Sequence, residues 1–399
     1  MTADVNNKGG FNYLDINLSD RCNLRCSWCY ARGGCGFKPP DKDILKKSVE
    51  WFAANQNTKE KVINIMGGEP LFEWQVLQWF VDLIREKVEN ARIGVITNCS
   101  LVTGEILDWL VKNKVSFSPS VDGCPEAVDM YRVNANGEGQ SSAIFEGAIK
   151  VLKQRPSIRA RATIAPDTAH LFFKSAKYLV EELGFKHLHM RPATGPGWTE
   201  DKIRVYKEQV GLTDRWLVDK IRLGKRVYLK DVFKEIELVD QAKIKPVVRQ
   251  SLCGIARGMI AIDTKGRIWP CHRFANDNTS KEYLIGDIFD GISESGSELR
   301  QKLAKFNPTK ACNKCNHCGT APWCLHEMMF QGQGMLEYSR MFCDLQRFYN
   351  SEAAWISSEL KACGVPLPPA DKNKTSQWIN GADRGNNINP KFSLSIKNR

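Results

Sequence analysis

Hydrophobic and polar residues alternate with two different periods over the first half of the chain. Residues 11–18, FNYLDINL, alternate like a β-strand, and residues 43–54 have the period of an amphipathic helix. The same alternation predicts further strands at residues 61–66, 92–97, 115–120, 159–165 and 187–192 and further helices at residues 73–88, 104–113, 141–154 and 171–183. Six such units favour a parallel sheet with helices packed outside it, in a partial barrel rather than a full eight-fold one.

The pattern changes after the sixth strand. Residues 196–250 are predicted to form a basic helical bridge, and residues 251–347 hold short strands, glycine turns and many cysteines. Within this second segment, residues 259–270 predict a β-hairpin with a glycine turn. We therefore expect a barrel over residues 11–195, and a C-terminal helix with a mobile basic tail over residues 348–399.

Composition narrows the class of protein. The chain has 399 residues and a net charge of +12, and its polar N-terminus lacks a signal region. With no apolar run near the length of a membrane span, we expect a cytoplasmic protein without a membrane or nucleic-acid partner. The charge suits an acidic partner or, equally, dispersed solvated lysines. Fourteen cysteines in such a protein indicate metal ligands or reactive thiols, because the cytosol keeps thiols reduced.

Three cysteines follow the first strand in one short loop. Cys22, Cys26 and Cys29 are spaced C-x3-C-x2-C, with Trp28 and Tyr30 beside them. A structural zinc site needs four ligands and usually takes them from two distant pairs. Three thiolates from a single loop can instead hold three irons of a [4Fe–4S] cluster and leave the fourth iron open.

A second short segment, MGGEP at residues 66–70, ends the second strand. Chemistry in parallel α/β barrels lies at the C-terminal ends of the strands. Glycines there expose backbone groups to a ligand, and Glu69 can accept hydrogen bonds from an ammonium group. We therefore expect an amine-binding loop beside the cluster.

Together these segments resemble the radical S-adenosylmethionine (SAM) superfamily, whose fold is a partial (β/α)6 TIM-type barrel. Cys22, Cys26 and Cys29 match its cluster motif. Its GGE motif, which binds the amino group of SAM, is matched by Gly67, Gly68 and Glu69, followed by Pro70. The resemblance implies further SAM contacts, for which ordinary packing at strand ends is the alternative: Asn98, Ser120 and Asp122 at the ribose, Arg132 at the carboxylate, and Thr163 and Met190 at the nucleoside.

Seven more cysteines lie within residues 251–347. Zinc would use four and leave three, whereas two iron–sulfur clusters would use nearly all of them. The segment resembles the SPASM extension of radical SAM enzymes, a small cysteine-rich domain with auxiliary clusters. The resemblance assigns auxiliary cluster II to Cys315, Cys318, Cys324 and Cys343, and auxiliary cluster I to Cys253, Cys271 and Cys312. Met328 replaces one cysteine of the SPASM pattern, so cluster I has an open iron or a ligand such as His326.

The resemblance implies reductive cleavage of SAM and hydrogen abstraction by a 5′-deoxyadenosyl radical. The cofactors are SAM, one SAM-binding [4Fe–4S] cluster and two auxiliary clusters, with a flavodoxin- or ferredoxin-type electron donor. CHRF (271–274) and IGDIFDGI (285–292) are most similar to peptide maturases that form thioether or carbon–carbon cross-links in ribosomal precursor peptides. His272 is then a catalytic base or, equally, a structural imidazole.

Three alternatives stay open. Sulfatase maturases form formylglycine, but they usually carry aspartate where this chain has His272. Enzymes that dehydrogenate a small sugar or aminocyclitol tend to have fewer auxiliary cysteines. A zinc-ribbon nucleic-acid binder would interleave its cysteines with basic residues, of which there are few here.

Partners and the remaining thiols complete the expectations. The basic bridge and tail suit an acidic leader on the precursor peptide. Because no stretch is free for a leader-binding domain, recognition would use the barrel surface or a separate protein. Outside the two cysteine groups, Cys35, Cys99, Cys124 and Cys363 are expected as small buried hydrophobic residues.

Overall fold

Six parallel strands dominate the first half of the computed structural model. The structure describes residues 10–29, 31, 39–56, 59–193, 197–244, 254–256, 258–275, 279, 281–305, 324, 340–364 and 367, with the backbone alone at 241–244 and 340–342. The six strands are β1 (Tyr13–Asn17), β2 (Lys61–Met66), β3 (Ala91–Thr97), β4 (Ser116–Pro119), β5 (Arg159–Ile164) and β6 (His187–Pro192). They confirm the six strands expected from the sequence, to within two residues at each end.

The strands form a barrel that is open on one side. Strands β1 to β4 pair in parallel in sequence order, and β5 pairs in parallel with β6. A parallel bridge between Ser120 and Arg161 joins the two groups, with the Val121 N–H donating to the Arg161 carbonyl at 2.9 Å. The partial (β/α)6 barrel is therefore confirmed.

Helices cover the outside of these strands. They are α1 (Lys42–Asn55), α2 (Trp74–Lys87), α3 (Gly104–Lys112), α4 (Pro125–Asp129), α5 (Ser141–Gln154) and α6 (Phe172–Glu181). Asp41 caps α1 by accepting from the N–H groups of Asp43 and Ile44. The buried residues of α1 recur at helical spacing, at Leu45, Val49 and Phe52, and face the sheet. The one-turn helix α4 was not expected, because five residues show no period.

Burial alternates along β5 and places its two faces in different environments. Ala160, Ala162 and Ile164 belong to the hydrophobic core under the helices. The residues between them, Arg159 and Arg161, are half-buried and point away from that core. Such alternation lines the lumen, the space enclosed by the strands, with polar side chains.

The segment after β6 contains a strand as well as helices. It comprises α7 (Glu200–Arg222), β7 (Tyr228–Leu229) and α8 (Lys230–Ile244). Strand β7 pairs in parallel with β6, opposite His187 and Leu188. The expected bridge of residues 196–250 therefore also extends the barrel wall. Two residues are too few to show a strand period in the sequence.

The last part of the chain adds to the other edge of the barrel. Strands β8 (Met259–Ile262) and β9 (Arg267–Trp269) form the expected hairpin, and Gly266 takes a φ of +78° in its turn. Strand β8 pairs in parallel with β1. The sheet continues through β10 (Gly286–Asp287) and β11 (Gly291–Ile292), followed by helices α9 (Glu294–Lys305) and α10 (Arg340–Ala362).

The C-terminal helix is longer than expected. Helix α10 begins at Arg340, eight residues before the expected start at residue 348. Of the helices that the structure describes, none is both long and apolar enough to cross a bilayer.

Candidate functional site

The cluster loop, residues 19–29, carries the three predicted ligands at the C-terminal end of β1. The Leu24 N–H donates to the Cys22 sulfur at 3.3 Å, and the Cys29 N–H donates to the Cys26 carbonyl at 3.1 Å. The Arg25 guanidinium donates to the Cys22 carbonyl at 2.8 Å. These bonds curl the loop, so that the three half-buried thiols share one neighbourhood.

The electrostatics of these thiols suit a metal cluster. Burial raises the pKa of Cys22 to about 12 and that of Cys26 to about 11, and the neighbouring thiols add to both shifts. A buried thiolate is thus unfavourable here unless metal cations neutralise it. In the described part of the chain, no three Cys, His, Asp or Glu side chains converge on a single ion. The three thiols are nevertheless neighbours, because Cys26 and Cys29 both act electrostatically on Cys22.

The glycines of the GGE segment let it lie directly against the cluster loop. The Gly68 N–H donates to the Ser19 carbonyl at 2.7 Å, and the Glu69 N–H donates to the Arg21 carbonyl at 3.0 Å. A Cβ on Gly68 would lie 2.0 Å from the Arg21 carbonyl oxygen, and one on Gly67, whose φ is +132°, would lie 2.3 Å from that of Ser19. The two glycines therefore allow the backbone of the GGE segment to touch the backbone of the cluster loop. The sequence had suggested only that they expose backbone groups to a ligand.

Glu69 joins the ends of two strands. Its side chain is 2% exposed, and its carboxylate accepts from the Leu71 N–H at 3.1 Å and from the Asn98 N–H at 2.7 Å. Burial raises the pKa of Glu69 to about 7, against the lowering effect of these hydrogen bonds. The predicted ammonium acceptor is thus held rigidly between β2 and β3, beside Pro70.

Asn98 links β3 to the cluster loop. Its side-chain amide donates to the Asn23 oxygen at 3.1 Å, and its own oxygen accepts from the Ser100 N–H at 2.9 Å. The Asn23 amide completes the triangle by donating to the Ser100 hydroxyl at 2.8 Å. Asn23 was missed by sequence reasoning, because it stands at an unspecified position of the cysteine motif.

Asp122 and Arg132 form a buried, two-pronged ion pair. Arg132 Nε donates to Asp122 Oδ2 at 2.6 Å, and Nη2 donates to Oδ1 at 3.1 Å. Asp122 Oδ1 also accepts from the Thr163 N–H at 2.8 Å, and the guanidinium lies 5.1 Å from the centre of the Trp28 ring. The structure thus brings Asp122, Arg132, Thr163 and Trp28 together. The bond between Asp122 and Arg132 is a structural contact, and the contacts of these residues with SAM stay predictions.

Comparison with known proteins identifies part of the barrel. Residues 16–159 match the family model of the radical SAM superfamily. These residues form a radical SAM domain.

Relatives extend the likeness beyond the radical SAM domain. The cysteine-type anaerobic sulfatase-maturating enzyme of Clostridium novyi is 21% identical over 313 residues, which cover 75% of this chain and 83% of that enzyme. An uncharacterized protein of Methanocaldococcus jannaschii is 26% identical over 140 residues, and the match spans only 48% of that protein.

Two solved structures share the fold. The structure of anSMEcpe with bound AdoMet and a Kp18Cys peptide has a TM-score of 0.70 at 17% identity, covering 88% of this chain and 99% of that one. SuiB of Streptococcus suis, bound to the precursor peptide SuiA, has a TM-score of 0.57 at 13% identity, covering 84% and 76%. The chain therefore shares its fold with these two structures.

The remaining SAM predictions fall at the ends of β4 and β6. Ser120 is half-buried, and its N–H donates to the Thr97 carbonyl at 2.9 Å. Met190 is 3% exposed and belongs to the hydrophobic core. The next residue, Arg191, is half-buried and donates to Asp231 at 2.7 Å. The contact of Met190 with the nucleoside stays a prediction. The Met190 side chain lies in a more apolar environment than expected.

Part of the second cysteine group can be located relative to the radical SAM domain. Cys271 is buried directly after β9, and Cys324 and Cys343 are half-buried. The other predicted ligands, Cys253, Cys312, Cys315 and Cys318, lie outside the described residues, as do Tyr30, Cys35, His326 and Met328. Both auxiliary ligand sets therefore stay predictions.

Three of the thiols expected as buried hydrophobes are described. Cys99 and Cys124 are fully buried. Cys363 differs, because it is half-buried and accepts a hydrogen bond from Arg222 Nε at 3.2 Å.

His272 connects the C-terminal segment to the lumen of the radical SAM domain. Its Nδ1 lies 2.6 Å from Oδ2 of Asp15, which is 1% exposed on β1. Asp15 Oδ1 accepts from the Asn64 amide at 3.0 Å, and the Asn17 amide donates to the Ala275 carbonyl at 3.3 Å. Asp15 was not expected as a site residue. The signal was the one charged residue of β1.

Proposed function

We propose that this protein is a radical SAM/SPASM peptide maturase. It abstracts hydrogen from a side chain or Cα of a ribosomal precursor peptide and oxidises the peptide, forming a thioether or carbon–carbon cross-link. The observation that carries the proposal is the direct backbone contact between the cluster loop and the GGE loop at Gly68 and Glu69. This contact joins a cluster-binding loop to an amine-binding loop at the C-terminal ends of β1 and β2.

The residues present fit the two groups that the chemistry requires. Cys22, Cys26 and Cys29 would hold a [4Fe–4S] cluster, and Glu69 would accept from the amino group of SAM. When bound, the cluster supplies the electron for reductive cleavage of SAM to methionine and a 5′-deoxyadenosyl radical.

The chain itself orients the reactants and controls protons. The Asn98–Asn23 bond fixes the cluster loop against β3, and Arg132, which is paired with Asp122, packs on Trp28 of the same loop. The loop would therefore position its ligands without reorganisation. His272 is the proposed base for the proton that the peptide loses, and Asp15 holds its imidazole at the wall of the lumen.

The C-terminal segment would hold the auxiliary clusters, which would supply an acceptor for the electron that leaves the substrate. Cys271, Cys324 and Cys343 are three of the proposed ligands of the auxiliary clusters, and the segment that follows Cys271 contacts β1 through His272 and Ala275. This arrangement supports a net two-electron oxidation within one chain.

Formylglycine formation is the second candidate. A cysteine-type sulfatase-maturating enzyme matches 75% of this chain, and the fold is shared with a protein solved with a Kp18Cys peptide. Against it stands the histidine at position 272. The His272–Asp15 pair offers a base in either reaction, so the peptide product must distinguish them.

The test begins with iron and acid-labile sulfide after anaerobic reconstitution. We expect about twelve irons per chain, in three clusters, and dithionite-dependent formation of 5′-deoxyadenosine. Replacing Cys22, Cys26 and Cys29 together by serine should remove about four irons and all 5′-deoxyadenosine, whereas Cys363→Ser should change neither. Zinc without iron would overturn the radical mechanism. About eight irons would leave one auxiliary site empty and favour a small substrate.

Mass spectrometry of the peptide then separates the two candidates. The substrates are a cysteine-containing precursor encoded beside the gene and a sulfatase-type cysteine peptide. A cross-linked product loses two hydrogens, whereas formylglycine formation replaces the cysteine sulfur with an aldehyde oxygen. We expect the cross-link, and oxidation of the sulfatase peptide alone would favour the second candidate.

A further inference from the structure

Strands β5 to β7 line the lumen with basic side chains. In register, Arg159 lies opposite His187, and Arg161 lies opposite His189 on the next inward-facing rung. Lys230 follows β7 directly, two positions beyond Tyr228, which pairs with His187. Arg159 and Arg161 both act electrostatically on Tyr13 of β1, so they face the lumen from the opposite wall.

The acidic groups of the lumen lie closest to other cations, although Asp231 Oδ2 is buried without a hydrogen-bond partner among the described residues and the charge of Asp231 acts on Arg159 and Lys230. Asp231 pairs with Arg191 at 2.7 Å and lies 3.3 Å from His189 Nε2. Asp15 pairs with His272 at 2.6 Å. Within the described ranges, no carboxylate lies within ion-pair distance of the three cations Arg159, Arg161 and Lys230.

Arg159 and Lys230 are enclosed as well as unpaired within the described ranges, and Arg161 is half-buried. Arg159 Nε and His187 Nε2 are buried and have no hydrogen-bond partner among the residues that the structure describes. Burial, with the charge of Arg161, lowers the pKa of Arg159 to about 10, and burial with the charge of Arg159 lowers that of Lys230 to about 7. Folding therefore places like charges together at a cost that an anion would relieve.

We propose that the lumen binds an oxyanionic group of the substrate, a carboxylate or a phosphate, between Arg159, Arg161 and Lys230. Guanidinium groups match the planar geometry of such anions, and the ammonium adds a point charge. The neutral imidazole of His187 supplies a further hydrogen bond at the same level.

The depth of the site in the lumen determines how the substrate would lie. Thr163, whose N–H contacts Asp122 at the SAM level, is two residues beyond Arg161 and four beyond Arg159 on β5. At roughly 3.3 Å per strand residue, the anion lies about 7–13 Å below that level. The anion would thus anchor the substrate at the base of the lumen while the reacting C–H bond faces SAM. This deepens the proposed function and rests on it for the identity of the substrate.

Isothermal titration calorimetry on the full-length, cluster-reconstituted protein tests the site without turnover. The probes are inorganic phosphate and N-acetyl-aspartic acid amide, with N-acetyl-asparagine amide as the uncharged control. We expect saturable one-to-one binding of at least one oxyanion and none of the asparagine compound. Binding of phosphate alone points to a phosphate ester, and binding of the aspartate compound alone points to a carboxylate.

Variants make the test specific to the lumen. Arg161→Gln should weaken binding at least about tenfold, as expected for loss of a charge-assisted bond, and Arg161→Lys should recover part of it. Arg92→Gln is the matched control, since Arg92 is a strand arginine with an exposed side chain paired to Glu60. Circular dichroism checks that each variant is folded.

Two results would overturn the proposal. One is that neither oxyanion binds, and the other is that Arg161→Gln binds as tightly as the unchanged protein. Because the titration needs neither SAM nor an electron donor, either result leaves the iron count and 5′-deoxyadenosine formation unaffected. Failure of this site is therefore distinguishable from failure of the proposed function.

Discussion

His272 Nδ1 lies 2.6 Å from Asp15 Oδ2, and this contact joins residues 257 positions apart. Asp15 is buried in the wall of the lumen, whereas the His272 side chain is partly exposed, so the buried carboxylate orients the imidazole. A carboxylate at this distance fixes the orientation of the imidazole ring.

The first prediction concerns His272. We expect His272→Gln to lower peptide oxidation at least about tenfold, the lower range of general-base contributions, while 5′-deoxyadenosine still forms without coupling to product. Liquid chromatography of 5′-deoxyadenosine and modified peptide measures both. Asp15→Asn keeps the shape of the contact and should cause a smaller loss in the same direction. Normal product with a lower melting temperature would instead make His272 a structural residue.

The second prediction concerns the contact between the two loops. Gly68→Ala must push the Arg21 carbonyl away from a position 2.0 Å from the new Cβ, so the cluster loop moves. We expect loss of iron from the SAM-binding cluster and of 5′-deoxyadenosine formation. Gly104→Ala is the control, since its Cβ would meet nothing within 4 Å. Full iron content in Gly68→Ala would contradict a requirement for this close approach.

The third prediction concerns the buried pair of Asp122 and Arg132. Arg132→Met leaves a buried carboxylate without its partner and should cost about 3–5 kcal/mol of unfolding free energy. Asp122→Asn combined with Arg132→Met removes the charge but can keep the Thr163 bond, so it should be more stable than Arg132→Met alone. Urea unfolding measures both. Lys150→Met, which breaks an exposed helix pair, should cost about 0.5 kcal/mol at most. Equal losses in the single and double variants would contradict this account.

Sequence patterns predicted most of the barrel because its strands and helices are long enough to show a period. All six strands and five of its helices were expected, whereas α4 and β7 have five and two residues and carry no period. The cluster loop and GGE loop were predicted because their chemistry needs fixed spacing within one segment. Spacing within a segment says nothing about which two loops touch, so the contact of Gly68 with Arg21 had to come from the fold.

Site residues that act across the fold were harder to predict. Asp15 and His272 meet only because β8 pairs with β1, a parallel contact that no local pattern encodes. Asp122 and Arg132 were predicted as SAM contacts, and their bond to each other depends on the turn after β4. The lumen cations show the same limit: Arg159 and Arg161 alternate in the sequence, but their lack of carboxylate partners is a property of three strands together.

Asp214 of α7 is a buried carboxylate with an unusual environment. It is 1% exposed, and neither of its oxygens accepts a hydrogen bond from the residues that the structure describes. It lies with Glu352 of α10 on the wall of a cavity of about 120 Å³, and Glu352 itself pairs with Arg215 at 3.0 Å. Burial, with the charge of Glu352, raises the pKa of Asp214 well above its ordinary value.

The fourth prediction follows from the sign of this shift. Between the ordinary pKa near 3.8 and the raised one, folded Asp214 holds a proton that the unfolded chain has released, so stability falls as pH rises through this window. Asp214→Asn cannot titrate and can donate to Glu352. We therefore expect it to gain about 1–3 kcal/mol of unfolding free energy at pH 8 and to lose part of the pH dependence. Asp219→Asn, an exposed change on the same helix, should do neither. Urea unfolding of the three proteins at pH 5 and at pH 8 measures both effects, and an Asp214→Asn variant no more stable than the unchanged protein at pH 8 would contradict the prediction.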